Sequence, residues 1–128
     1  MSNRAQDWFE QALKDLEAAE HLLEVGRHEW VCFAAHQASE KAIKSLHLRH
    51  GQQAWGHVVA ELLRELPGSL EVPDDLIERA RVLDTFYIPS RYPNSHSKGA
   101  PFQHYGPIQS EQALGYARAV IDFVGSSA

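Results

Sequence analysis

Four of the six prolines fall within one stretch, Ile88 to Gln109, as Pro89, Pro93, Pro101 and Pro107. A proline cannot continue a helix, and it biases the residue before it toward extended geometry. That stretch therefore breaks a chain whose remaining pattern is helical, and it holds Arg91 and His96 on stiff, non-helical backbone. A connection longer than about 15 residues inside one domain is usually functional or disordered. Tyr92, Phe102 and Tyr105 argue for a loop packed against something, because a disordered linker rarely carries so many aromatic rings.

Around this loop the apolar spacing is helical. Phe9, Ala12, Leu16, Ala19 and Leu23 predict a helix from Asn3 to Val25, ended by Gly26 in a left-handed cap. Only Gly26-Arg27-His28 intervenes before a second helix, Glu29 to His50, so the pair forms an antiparallel hairpin. The second helix has an alanine-rich face, Val31, Ala35, Ala38, Ala42 and Leu46, that permits close approach of a neighbour, and Gly51 stops it. A short helix is predicted over His57–Leu66, with Val58, Leu62 and Leu66 on one side and Pro67-Gly68 as its end. A fourth begins near Pro73-Asp74-Asp75, with the stripe Leu76, Ala80, Leu83 and Tyr87. The last starts at Ser110 as N-cap and buries Ala113, Ala117, Val120 and Val124. No stretch alternates as a strand does. The fold expected is all-α: one domain over residues 1–128, an up-and-down bundle of four main helices plus one short one, with the Pro-rich loop before the last helix.

Composition narrows function. A net charge of −5 argues against a general nucleic-acid coat, so any RNA or nucleotide would need a local basic patch. The one cysteine, Cys32, excludes an intrachain disulfide and a cysteine metal cluster. His47 and His50, with His57 nearby, lack a carboxylate or thiolate at ligand spacing and read as solvent-facing, so no metal site and no cofactor are expected. The polar opening and the absence of a long apolar run point to a cytoplasmic protein without a membrane span.

Guanidinium and imidazole together bind a phosphate and move a proton beside it, which makes Arg91 and His96 the candidate catalytic pair. Each has a structural alternative: Arg91 pairing with Asp84 or Glu40 to pin the loop, and His96 as an exposed loop residue. Gln37, Lys41 and Lys44 share one helix face, either as a solvated stripe containing a Glu40–Lys44 ion pair or as the basic patch. Tyr87 and Tyr92 bracket Arg91, as core rings or as platforms for a base. Gln37, Lys41 and Arg91 are expected to converge on one polar groove.

The string Gln37-Ala38-Ser39-Glu40-Lys41-Ala42, a separate His57, and Leu83-Asp84 through Arg91-Tyr92-Pro93 together resemble the HEPN domain family over nearly the whole chain. The resemblance implies a dimerising helical bundle and a minimal nucleotidyltransferase as a neighbouring partner. Many such proteins are metal-independent endoribonucleases that act as toxins, the partner serving as antitoxin. Their active motif, an arginine followed after four to six residues by a histidine, maps onto Arg91 and His96. Active members usually carry a polar residue straight after the arginine, and this chain departs from that pattern with Tyr92. Toxins silenced by partner-catalysed nucleotide attachment carry a tyrosine two residues past the histidine, and here that position is Lys98. The resemblance thus implies a homo-oligomer, dimer or higher, acting on RNA or a nucleotide, and the aromatic and arginine content here predicts an interface that includes the Arg91 loop or the helix that feeds it. The alternative is a non-catalytic nucleotide-binding or partner-docking module.

Overall fold

Gly26 and Gly51 end the first two helices in the same way, each with a left-handed backbone (φ 74° and 72°). In both, the amide one residue further on donates back over the last turn: Arg27 to the Leu22 carbonyl and Gln52 to the His47 carbonyl, at 3.0 and 2.9 Å. Only glycine takes this backbone without strain. The helices so bounded are α1, Ala5–Glu24, and α2, His28–Arg49. The structure, a computed structural model, describes residues 4–127, so the expected start at Asn3 lies outside the described residues.

Three further helices follow: α3 (Val59–Arg64), α4 (Asp74–Asp84) and α5 (Pro107–Ser126), with single 3₁₀ turns at Gly68–Leu70, Pro93–Ser95 and Pro101–Gln103. No strand occurs among the described residues. Side-chain contacts give the directions. Lys41 meets Asp15 and Arg49 lies over Phe9, so α1 and α2 run antiparallel. Arg118 meets Glu20 in an antiparallel α1–α5 pair, and Arg79 over Tyr116 sets α4 against α5. His28 Nδ1 lies 2.8 Å from Ser110 Oγ, which joins the starting ends of α2 and α5. The result is an up-down-up-down bundle of four long helices with α3 as the short fifth.

The alanine face of α2 is wholly buried, and α2 packs mainly on α1 and α5. Val31 sits with Ala19 of α1 and Leu114 of α5, so α2 is wedged between its two neighbours. Small side chains at Ala35, Ala38 and Ala42 let these backbones approach.

Three local expectations are corrected. Ser110 does not cap α5; it is fully buried inside the helix. Pro107 opens α5, with its φ preset for the first helical position, and the Gln109 side chain accepts from the Gly106 amide at 2.7 Å. Within α3, Val58 is exposed at the N-cap while Val59, Leu62, Leu63 and Leu66 enter the core. The helix starts at Val59 because Asp84, at the end of α4, accepts from the Val59 and Ala60 amides at 2.7 and 3.0 Å. A capping carboxylate here comes from across the bundle, where local pattern gives no sign of it. In the Pro-rich loop Tyr105 packs edge-on against Phe86, whereas Tyr92 and Phe102 lie exposed.

Candidate functional site

The side of α2 opposite its alanines carries a buried polar seam. His36 has no exposed surface. Its Nε2–H is shared between the His57 carbonyl, 2.9 Å away, and Asp84 Oδ1 at 3.2 Å, and the Gln37 amide donates to its Nδ1 at 3.2 Å. Glu40, also buried, accepts from Lys44 on one oxygen and lies 3.0 Å from His57 Nδ1 on the other. Buried polar groups persist where their hydrogen bonds are completed. Among the described residues no buried side-chain nitrogen or oxygen lacks a partner.

One ring joins this seam to the Pro-rich loop. Tyr87 stacks on His57, with centroids 5.0 Å apart and planes at 18°, and lies 4.9 Å from His36. Its centre is also 4.8 Å from the Arg91 guanidinium carbon, which sits 4.4 Å from the Phe33 ring and 5.0 Å from Tyr92. Arg91 Nε donates to the Tyr87 carbonyl at 2.9 Å. Three aromatic rings and one carbonyl therefore hold the guanidinium, through cation–π attraction and shape. Neither Asp84 nor Glu40 pairs with it: the first caps α3, the second holds Lys44 and His57. Among the described residues no carboxylate forms an ion pair with Arg91.

His96 has different neighbours. Its Nε2 donates to the Pro89 carbonyl at 2.7 Å, and its ring stacks on His104 at 4.1 Å with planes at 6°. His104 in turn bonds the Lys98 carbonyl. Arg91 and His96, matched in spacing, share no neighbour within one chain among these contacts.

The helix stripe is already paired. Lys44 bonds Glu40 at 3.0 Å with both side chains largely buried, and Lys41 bonds Asp15 of α1. Gln37 and Lys41 nevertheless line a shallow depression with Asp15, Trp30, Ala34 and Phe33. Phe33 is the wall this depression shares with the Arg91 cage.

Nothing local in the sequence marks His36, Glu40, Asp84 and His57 as one cluster. A histidine and a glutamate four residues apart on α2 were the available signal, but their partners lie 17 and 48 residues away. His47 is likewise corrected. It is buried, with Nε2 2.8 Å from the Leu62 carbonyl and Nδ1 3.1 Å from Gln52 Oε1, so it ties α2 to α3 instead of facing solvent. Among the described residues no three His, Cys, Asp or Glu side chains are grouped to hold a metal ion, and no helix is long and apolar enough to cross a membrane. Burial, reinforced by the Glu29 carboxylate, pushes the Cys32 thiol up to about 12, and burial also raises the Tyr105 phenol. Neither group ionises near neutral pH.

The family model of the HEPN domain matches residues 5–127. The chain is 47% identical to TT1696 from Thermus thermophilus, with a TM-score of 0.97 over 99% of this chain and all of that one. It is 33% identical to ST0689, described as an archaeal HEPN homologue, with a TM-score of 0.82 over 99% of this chain and 100% of the other. A HEPN domain protein of Thermotoga maritima, TM0613, is 36% identical with a TM-score of 0.75, covering 94% of this chain and 95% of that one. No curated protein matches. With the family match spanning almost every residue and three such structures sharing its fold, the chain belongs to the HEPN domain family.

Proposed function

We propose that this protein is the HEPN half of a toxin–antitoxin-like pair with a minimal nucleotidyltransferase, and that it binds RNA at Arg91 and cleaves it without metal. The observation that carries this reading is the Arg91 guanidinium, caged by Phe33, Tyr87 and Tyr92 and paired to no carboxylate. A planar fork held in place and free of an internal anion suits a phosphate oxygen pair. Tyr92, half exposed beside it, offers a face on which a base stacks, and Gln37 and Lys41 line the adjoining depression along α2, while Lys44 backs the seam through Glu40. His96 stands at the family motif's spacing and keeps Nδ1 open for proton transfer while Nε2 holds the loop. The nucleotidyltransferase partner follows from the family's usual pairing.

The protein acts as a homo-oligomer. Ile88, Tyr92, Phe102 and Ile108 are all exposed on or beside the Pro-rich loop, a concentration of apolar and aromatic side chains typical of interface cores. Assembly through this loop would bring the two copies of Arg91 and His96 together, as the family's active motif requires.

A second reading, a non-catalytic nucleotide-binding module, is favoured by the engagement of His96 with Pro89 and His104. Incubation of the full chain with single-stranded RNA in excess EDTA separates the two. Cleavage by wild type that is lost in Arg91→Ala supports the nuclease, whereas binding without cleavage supports the module. Co-purification of a minimal nucleotidyltransferase tests the pairing, and light scattering at micromolar concentration tests the oligomer.

A further inference from the structure

His57 is more than half exposed, yet it is held on three sides. Its carbonyl accepts from the buried His36, its ring stacks on Tyr87, and its Nδ1 lies 3.0 Å from Glu40 Oε1. A carboxylate only accepts, so in the neutral ring Nδ1 carries the proton and Nε2 presents its lone pair. Among the described residues no protein group bonds that nitrogen. An ordinary surface histidine is not fixed this way. A buried carboxylate behind Nδ1–H fixes the tautomer and the ring orientation, so that Nε2 is aimed outward as a proton acceptor. Glu40 is itself anchored by Lys44 at 3.0 Å.

The placement is equally specific. His57 and Arg91 both lie against Tyr87, at 5.0 and 4.8 Å from its centre, so their separation cannot exceed those two distances together. We propose that His57, oriented by Glu40, is the proton-accepting residue of the Arg91 site. The assignment rests on the RNA-cleavage reading above. In the reaction His57 Nε2 takes the proton of the 2′-hydroxyl and the 2′-oxygen bonds to phosphorus. The bond from phosphorus to the 5′-oxygen breaks, and that oxygen takes a proton from His96, which recovers it from water. The products are a 2′,3′-cyclic phosphate and a 5′-hydroxyl, and His57 returns its proton to the solvent hydroxide. Arg91 faces the phosphate throughout. Glu40 and Lys44 on α2, and Asp84 through His36, are the other charged groups about the ring.

The test uses the full chain, single-stranded RNA and EDTA from pH 5 to 9. His57→Asn is the chosen variant, because its amide replaces Nδ1–H toward Glu40 but accepts no proton. Cleavage should fall by about 10²–10⁴-fold, with thermal unfolding and binding of a 2′-deoxy oligonucleotide of the same sequence retained. The acid limb of the wild-type profile should vanish in that variant, which a purely structural role would not produce. If His57→Asn cleaves as fast as wild type, or if loss is confined to His96→Asn, this assignment is overturned while the nuclease reading stands. If wild type leaves RNA intact, both fall.

Discussion

The two sides of α2 are built on opposite principles. One side, Ala35, Ala38, Ala42 and Leu46, is apolar and uses small volume to seat the helix between α1 and α5. The other, His36, Glu40 and His47, is equally buried but polar, and each group is tied to a residue of α3, α4 or the segment between α2 and α3. Apolar packing is nondirectional and tolerates adjustment, whereas a buried hydrogen-bond network fixes positions and is costly when a partner is removed. The first side makes the bundle. The second places His57, Tyr87 and Arg91 around one another.

The sharpest way to break the polar side is Asp84→Ala. It uncaps α3 at two amides and strips His36 of its carboxylate, so stability should fall by about 3 kcal/mol, read from urea unfolding. Asp84→Asn retains an acceptor for one amide and should cost less. On the alanine side, Ala38→Leu forces a larger side chain into a site with no exposed surface and should cost about 2 kcal/mol. If the leucine is accepted without loss, the close helix approach has been misjudged.

A smaller effect comes from pH. Cys32, buried within α2, has its ordinary value of 9.0 raised to about 12, so the folded state favours the neutral thiol. The stability this contributes is present below pH 9 and is lost as pH rises toward 12, and the raised Tyr105 phenol acts in the same direction. Alkaline unfolding followed by circular dichroism should therefore shift to higher pH in Cys32→Ala relative to the loss seen in wild type. Least of all, removing the exposed Arg118–Glu20 pair should change stability by under about 0.5 kcal/mol.

The sequence revealed the apolar side of α2 and the ends at Gly26 and Gly51, because spacing and glycine geometry are local properties. The nature of the polar side was hidden. Glu40 reads as half of a surface ion pair with Lys44 until His57, 17 residues on, is folded against it. Asp84 reads as the end of its own helix until it caps another. Arg91 stands out by its prolines and neighbouring aromatics, but Phe33, the ring nearest its guanidinium, lies on α2 and carries no local signal. His96 stands out by spacing along the chain, a measure blind to the Pro89 carbonyl and the His104 ring that hold it.

That the caged guanidinium of Arg91 receives a phosphate of RNA is tested most directly by equilibrium binding. The ligand is a 2′-deoxy-substituted, uncleavable single strand, titrated at fixed ionic strength against wild type, Arg91→Lys and Arg91→Ala. Loss of one charge-assisted hydrogen-bonding group should weaken Arg91→Ala by about 10–100-fold. Arg91→Lys should fall between, retaining charge without the planar fork. Equal affinity across all three proteins, each folded by circular dichroism, would contradict the claim and make Arg91 an anchor of the loop alone.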